Sequence, residues 1–294
     1  MTVIGIFGPT ASGKTRVAAT LAGRFPAELV SADAMQVYRG LPILTNQAPA
    51  RLVAIWPLEH EASVGEYAPL AQAAIDEILA AGRTPIVVGG TGLYLRAALA
   101  DLGLPPAPAP GERERWERAY DEDPALAHER LAALDPAAAA AVHQNDRRRV
   151  VRALELTAAG ASLAPRADRL WAGETRHPTV LVGLDVPKDV LERRIEQRTR
   201  AMFDAGVVEE VRAALAGPVS TTARKTLGLD EVATLPREEA IEAIVVRTRR
   251  YAAYQRKWMR RVPGLVMVDA DRPPGEIADD IVSLAGTREH LPRQ

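Results

Sequence analysis

Short unbroken apolar runs along this chain are separated by longer stretches in which apolar residues recur every three or four positions. The runs are Thr2-Val-Ile-Gly-Ile-Phe7, Ala27-Glu-Leu-Val-Ser31, Thr84-Pro-Ile-Val-Val-Gly89, Thr179-Val-Leu-Val-Gly-Leu-Asp185 and Val266-Met-Val-Asp269. Strands covered on both faces of a parallel sheet read this way, because neither face meets water. Helical spacing is predicted for residues 16–24, 68–81, from Leu93 onward, 190–214, 237–262 and 276–285, with a break or curve expected in 237–262. Residues 41–67 are rich in proline and mixed in pattern, which predicts a loop carrying a short strand at 52–56. Strands alternating with helices predict an α/β fold, a parallel sheet flanked by helices.

One region departs from that alternation. Leu104-Pro-Pro-Ala-Pro-Ala-Pro-Gly111 is too stiff for a helix or a central strand and marks a boundary. From residue 112 to about 160 the pattern is helical throughout, with breaks at 121–124 and 134–136, and a less regular stretch leads to Pro178. The expected organisation is a core of residues 1–111 and 178–294 carrying an all-helical insertion at 112–177. No internal repeat is visible.

Composition narrows the classes. The chain has 294 residues, 47% of them hydrophobic, enough for one large domain or for a core with an insertion. Its 37 basic and 38 acidic side chains leave a net charge of −1, so any attraction to nucleic acid or anionic membrane must be local. The absence of cysteine excludes disulfides and thiolate metal sites and fits a reducing compartment. His60, His128, His143, His177 and His290 are too scattered for a local metal motif. With a strand starting after Met1 and no membrane-length apolar stretch, a soluble cytoplasmic protein is expected, with no membrane partner and as a monomer.

The first strand runs into Gly8-Pro9-Thr10-Ala11-Ser12-Gly13-Lys14-Thr15, a GxxxxGKT loop opening a helix. Glycine lets such a loop turn its N–H groups inward, and the helix adds the positive end of its dipole. Lys14 supplies a mobile charge, and Thr15 offers a hydroxyl to Mg²⁺. The motif is a diphosphate cradle; most such loops hold a nucleoside triphosphate, and some another phosphorylated substrate. Unlike the partner strand of ordinary NTPases, the third run ends in Gly89-Gly-Thr-Gly92, without a carboxylate. Asp33, at the carboxyl end of the second strand, becomes the leading acidic group near the phosphates, as a base, a helix cap or a group one step removed from Mg²⁺. Arg194 and Arg198, one turn apart, are placed to grip a diphosphate. Asp146 is expected to cap a helix on which Arg148 and Arg152 share a face. Further on, Arg247, Arg249, Arg250, Arg256, Lys257, Arg260 and Arg261 surround Tyr251, Tyr254 and Trp258. Such clusters are either solvated faces or, with rings among the guanidinium groups, surfaces for RNA.

Taken together, these stretches resemble the tRNA dimethylallyltransferases, also called tRNA isopentenyltransferases. The resemblance rests on GPTASGKT at 8–15, SADAMQVYRG at 31–40, GGTGLYL at 89–95 and HQNDRRRVVRALEL at 143–156, and continues with RIEQR at 194–198, MFDAGVVEEV from 202 and RYAAYQRKW at 250–258. It implies that the loop at 8–15 binds the diphosphate of dimethylallyl diphosphate and that the acceptor is N6 of the adenosine 3′ of the anticodon. The anticodon stem-loop of tRNA would be the partner. By the same resemblance Asp33 takes the N6 proton, Thr91 and Arg198 act on the departing diphosphate, and Mg²⁺ is held through Thr15. Asp33, Ala34, Met35, Gln36, Thr91, Arg113, Arg148, Arg149, Arg152, Lys225, Gln255 and Trp258 fall where the family contacts tRNA.

Several positions differ from the family pattern. Asp33-Ala34 stands for the usual Asp-Ser, and Gly40-Leu-Pro-Ile-Leu-Thr-Asn-Gln-Ala-Pro49 replaces a loop close to GxDIGTAKP, losing an acid and a lysine. A histidine pair expected near Ile55 and Trp56 is missing, Gly228-Leu229 replaces Gly-Tyr, and Ala253-Tyr254 replaces Lys-Arg. A transferase acting on free AMP or ADP, a small-molecule kinase and a catalytically silent RNA-binding relative are the alternative readings.

Overall fold

A computed structural model describes residues 2–104, 111–163, 170 and 173–289. The chain forms two compact units, residues 1–101 with 173–294, and residues 102–172. The six prolines and alanines at 105–110 lie outside the described residues.

In the first unit every residue of β1 (Val3–Phe7) is buried, as its unbroken apolar run requires. The chain continues through α1 (Lys14–Ala22), β2 (Ala27–Ser31), α2 (Val64–Ala80), β3 (Thr84–Gly89) and α3 (Gly92–Leu99). The five strands, completed by β4 (Thr179–Asp185) and β5 (Leu265–Asp269) after the second unit, form one parallel sheet in the order β2-β3-β1-β4-β5. Its register decides where chemistry can assemble. Ser31 pairs with Val88, Gly89 with Phe7, and Phe7 with Gly183. The loops leaving β2, β3 and β1 therefore start side by side at the carboxyl edge, which is where open α/β sheets bind ligands.

The second unit holds α4 (Glu112–Glu122), α5 (Pro124–Leu134), α6 (Pro136–Ala141) and α7 (Arg147–Ala158). Asp123, Asp135 and Asp146 each accept backbone N–H groups at a helix start, which sets the breaks between helices. Trp116, Tyr120, Leu131, Val150 and Leu154 form its own core.

After β4 the first unit continues with α8 (Lys188–Asp204), α9 (Val207–Ala214), α10 (Thr221–Arg224), α11 (Leu229–Thr234) and α12 (Arg237–Met259), and α13 (Pro274–Glu289) follows β5. Several sequence expectations are corrected here. No strand forms at 52–56: only isolated bridges join Val30 to Arg51 and Tyr38 to Trp56, and Leu52 and Ala54 sit at positive φ, which breaks extended pairing. α2 starts four residues earlier than expected because a reciprocal capping box between Ser63 and Glu66 outweighs Pro69, which would suit a first turn. The expected single helix at 190–214 is two, divided at Gly206, whose φ of 94° only glycine adopts easily. By contrast α12 is one unbroken helix of 23 residues, and α10 and α11 occupy a region with no expected element.

Removing the capping box should be measurable. Ser63→Ala is expected to lower the unfolding free energy by about 1 kcal/mol, read as a lower urea midpoint at unchanged slope.

Candidate active site

A cavity of about 570 Å³ opens at the carboxyl edge of the sheet. It is lined by the 8–15 loop, by Asp33, Met35 and Gln36 after β2, by Arg194 and Arg198 on α8, and by α12. The loop takes its shape from backbone that side chains disfavour: Gly13 has φ 89° and Ala11 φ 62°. Its interior is polar and incompletely satisfied, since the Ser12 hydroxyl is buried with no hydrogen-bond partner.

Charge is concentrated here. The Lys14 ammonium donates to the Pro9 carbonyl at 2.7 Å. Burial pulls its pKa down to about 8; the Asp33 carboxylate opposes this and Arg198 reinforces it. Arg198 donates through Nη1 to the Thr10 hydroxyl at 2.9 Å, and burial lowers its pKa as well, again opposed by Asp33. Arg194 also lines the cavity, but its guanidinium donates to Asp271 at 2.8 Å, so of the expected pair only Arg198 grips the loop. Asp33 itself accepts the Met35 N–H at 3.0 Å. Two cations with one carboxylate between them leave a positive site, suited to a ligand carrying several negative charges.

α12 supplies one wall by its periodicity. Ile244, Thr248, Tyr251 and Gln255, spaced four, three and four residues apart, all face the cavity. Gln255 is 2% exposed; its carbonyl accepts the Thr10 N–H at 2.8 Å and its amide donates to the Gly90 carbonyl at 2.7 Å. The approach is so close that a Cβ on Gly90 would lie 2.3 Å from Gln255 Nε2, and one on Gly92 would lie 2.2 Å from Trp258 Cε3. The glycines after β3 are therefore required by the helix above them.

The other expected residues fall as follows. The Thr91 hydroxyl accepts the Ala34 N–H at 3.2 Å, bringing the ends of β2 and β3 together beside Asp33. Gln36 accepts from the Ser31 hydroxyl at 2.8 Å and donates to the Asn46 carbonyl at 3.0 Å, so its amide anchors the 41–47 loop that forms another wall. Met35 accepts at its sulfur from the Thr226 hydroxyl at 3.2 Å. Lys225 lines a separate groove with Arg224 and Arg247. Trp258 packs over Gly92 and meets Tyr254, itself 55% exposed, edge to face at 6.4 Å. In the second unit Arg113 and Arg152 donate at 2.8 and 2.9 Å to Glu155, whose side chain is fully buried. Arg148 and Arg149 are exposed and, among the described residues, have no ion-pair partner.

Sequence reasoning grouped Tyr251 with the rings of a basic surface, whereas it faces the cavity; the four-three-four spacing with Gln255 was the available signal. It also passed over Glu210, whose carboxylate accepts the N–H groups of Ile43 and Leu44 at 2.7 and 2.8 Å and fixes the same loop from α9. No group of three or more His, Cys, Asp or Glu suited to a metal occurs among the described residues, and no helix there is long and apolar enough to cross a membrane.

The family model described as IPP transferase matches residues 36–262. A tRNA dimethylallyltransferase of Anaeromyxobacter dehalogenans is 42% identical over 294 residues, covering 95% of this chain and 98% of that protein. One from Corynebacterium jeikeium is 39% identical over 286 residues, covering 92% of each. Among solved structures, the tRNA isopentenylpyrophosphate transferase of Bacillus halodurans superposes with a TM-score of 0.64 at 30% identity, covering 98% of this chain and 99% of that one. A eukaryotic dimethylallyltransferase caught acting on tRNA gives 0.79 at 23% identity, covering 100% and 81%, a likeness of fold.

The depressed Lys14 pKa carries a testable sign. Below about pH 8 the lysine is charged in the free protein; above it, a bound diphosphate must draw a proton back from solution. Metal-free calorimetry in buffers of different ionisation enthalpy is expected to show uptake approaching one proton per diphosphate ester at pH 9, and none attributable to this group in Lys14→Met.

Proposed function

The chain belongs to the IPP transferase family, and from that premise we propose that it transfers a dimethylallyl group from dimethylallyl diphosphate to N6 of the adenosine 3′ of the anticodon in tRNA, releasing diphosphate. The observation that carries the reading is the charge layout of the cavity: Lys14 and Arg198 meet at the 8–15 loop with Asp33 as the opposing carboxylate.

In the reaction the adenine N6 attacks C1 of the allyl chain while the C1–oxygen bond breaks and its electron pair leaves with the diphosphate. Asp33 takes the N6 proton. Positive charge develops on C1 and negative charge on the leaving oxygens, so Lys14, Arg198 and the loop amides act where charge appears in the transition state. Met35, Leu44, Leu227 and Ile244 give the cavity an apolar wall, which keeps water from the allyl group. Thr15 offers a hard oxygen at the cavity, and a diphosphate contributes the remaining oxygens, the donor set Mg²⁺ prefers. Bound there, Mg²⁺ would neutralise part of the charge on the leaving group.

The acceptor must be drawn out of its stacked loop at a cost of a few kcal/mol. Arg148 and Arg149 in the second unit, and Lys225, Arg250, Lys257 and Trp258 in the first, are the groups available to hold the stem-loop in compensation. The reading places the protein with tRNA in the cytoplasm.

Purified protein with Mg²⁺, dimethylallyl diphosphate and an unmodified anticodon stem-loop is expected to yield N6-prenyl adenosine by mass analysis. Absence of product, or heat protection by ATP but none by dimethylallyl diphosphate, would reject the reading in favour of a kinase. Asp33→Ala should lower kcat by about 10²–10⁴-fold with diphosphate binding retained. Arg148→Ala and Arg149→Ala are each expected to weaken stem-loop binding and to reduce the slope of log K against log salt by about one.

A further inference from the structure

The side chains lining the cavity include the cations Lys14, Arg16, Arg194 and Arg198 and a single carboxylate, Asp33. Lys14 and Arg198 are fastened to the 8–15 loop, and Arg194 is tied to Asp271. Arg16 is different. It is exposed, and among the described residues its guanidinium has no ion-pair or hydrogen-bond partner.

Its place on α1 is unfavourable for the free protein. The helix opens at Lys14, so Arg16 lies in the first turn, and that turn holds no acidic residue. A cation there meets the positive end of the helix dipole, with the like charge of Lys14 two residues away. An anion bound at the loop offsets both repulsions. Helix geometry points the same way. The buried face of α1 is made of Val17, Ala18 and Leu21, and the turn of the helix sets Arg16 away from it. Side chains on a helix lean toward its N-terminus, which for Arg16 is the side of the 8–15 loop. We propose that Arg16 is a third cationic group for the diphosphate, gripping it from α1 while Arg198 holds it from α8. Arg16 thus takes the part that the sequence spacing suggested for Arg194. The inference rests on the transferase reading above for the ester to which the diphosphate belongs; the group that Arg16 recognises is the diphosphate itself.

Arg16→Gln removes the charge and keeps a polar side chain. In metal-free calorimetry its affinity for inorganic diphosphate is expected to fall about tenfold, the effect of one charge-assisted hydrogen bond, with a smaller loss in Arg16→Lys. The free variant is expected to melt no lower than wild type, because the charge it has lost opposed the helix dipole. With an active wild type, the KM for dimethylallyl diphosphate should rise by a similar factor and the KM for the stem-loop should not change. Unchanged diphosphate affinity in Arg16→Gln would overturn the inference, as would weakened stem-loop binding with diphosphate held normally, which assigns the arginine to the RNA backbone. A lower melting temperature of the free variant would also overturn it, by assigning Arg16 to the fold. A wild type that binds diphosphate through Arg16 yet prenylates no stem-loop would reject the transferase reading and support this inference, whereas a wild type that binds no diphosphate overturns both.

Discussion

Two positive charges gathered half-buried at one loop are the constraint on which the site depends. Lys14 and Arg198 both have their charged forms disfavoured by burial, and Asp33 offsets that only in part. A half-buried charge that is only partly countered is costly, and contacts of the loop itself hold this arrangement in the free protein. The 8–15 loop is fastened on one side by Arg198 to Thr10 and on the other by Gln255 to the Thr10 amide. In the proposed reaction a diphosphate would relieve the imbalance, and a leaving diphosphate, gaining charge as the bond breaks, would relieve it further, so that the same imbalance would serve binding and, more strongly, the transition state.

That arrangement is possible because of the sheet. A parallel register brings the ends of β2, β3 and β1 level, which sets Asp33, Gly89 and the 8–15 loop around one cavity although they are far apart in sequence. α12 then closes the rim with a single face of one helix. Its unbroken length matters: over 23 residues, rising about 1.5 Å each, it reaches from the apolar wall at Ile244 past Tyr251 to Gln255 and Trp258 over the glycines after β3.

The parts of this that could be read from the sequence share one property: each is enforced locally. Apolar runs of four to seven residues announce buried strands, GxxxxGKT requires its turn, and Asp before an arginine-rich run caps α7. What could not be read depends on tertiary partners. Nothing in residues 52–56 reveals that Leu52 and Ala54 adopt positive φ, since the reversal is stabilised by pairing to Val30 and Tyr38. The proline at 69 and the capping box at 63–66 give opposing local signals for the start of α2. Gln255 and Tyr251 look like members of a basic surface until the helix is rotated onto the sheet. Arg113 and Arg152 look like a cationic patch until Glu155 is found buried between them.

Two of the expected departures from the family pattern, the 40–49 loop and Leu229, meet in space. Leu41 and Leu44, in the loop that lost an acid and a lysine, are buried, and they join the same core cluster as Leu229, which stands where the family has tyrosine. A Cβ on Gly228, which has φ 96°, would lie 2.9 Å from Leu44 Cδ1. The loop is thus packed directly against the turn that carries the other substitution. Glu210 and Gln36 secure its backbone, the carboxylate by accepting the Ile43 and Leu44 N–H groups and the amide by donating to the Asn46 carbonyl. Ala34 follows the same logic: without a hydroxyl of its own, it meets Thr91 through its backbone N–H. In this chain the shape of the cavity is set by packing, while Lys14, Asp33 and Arg198 gather charge at the 8–15 loop.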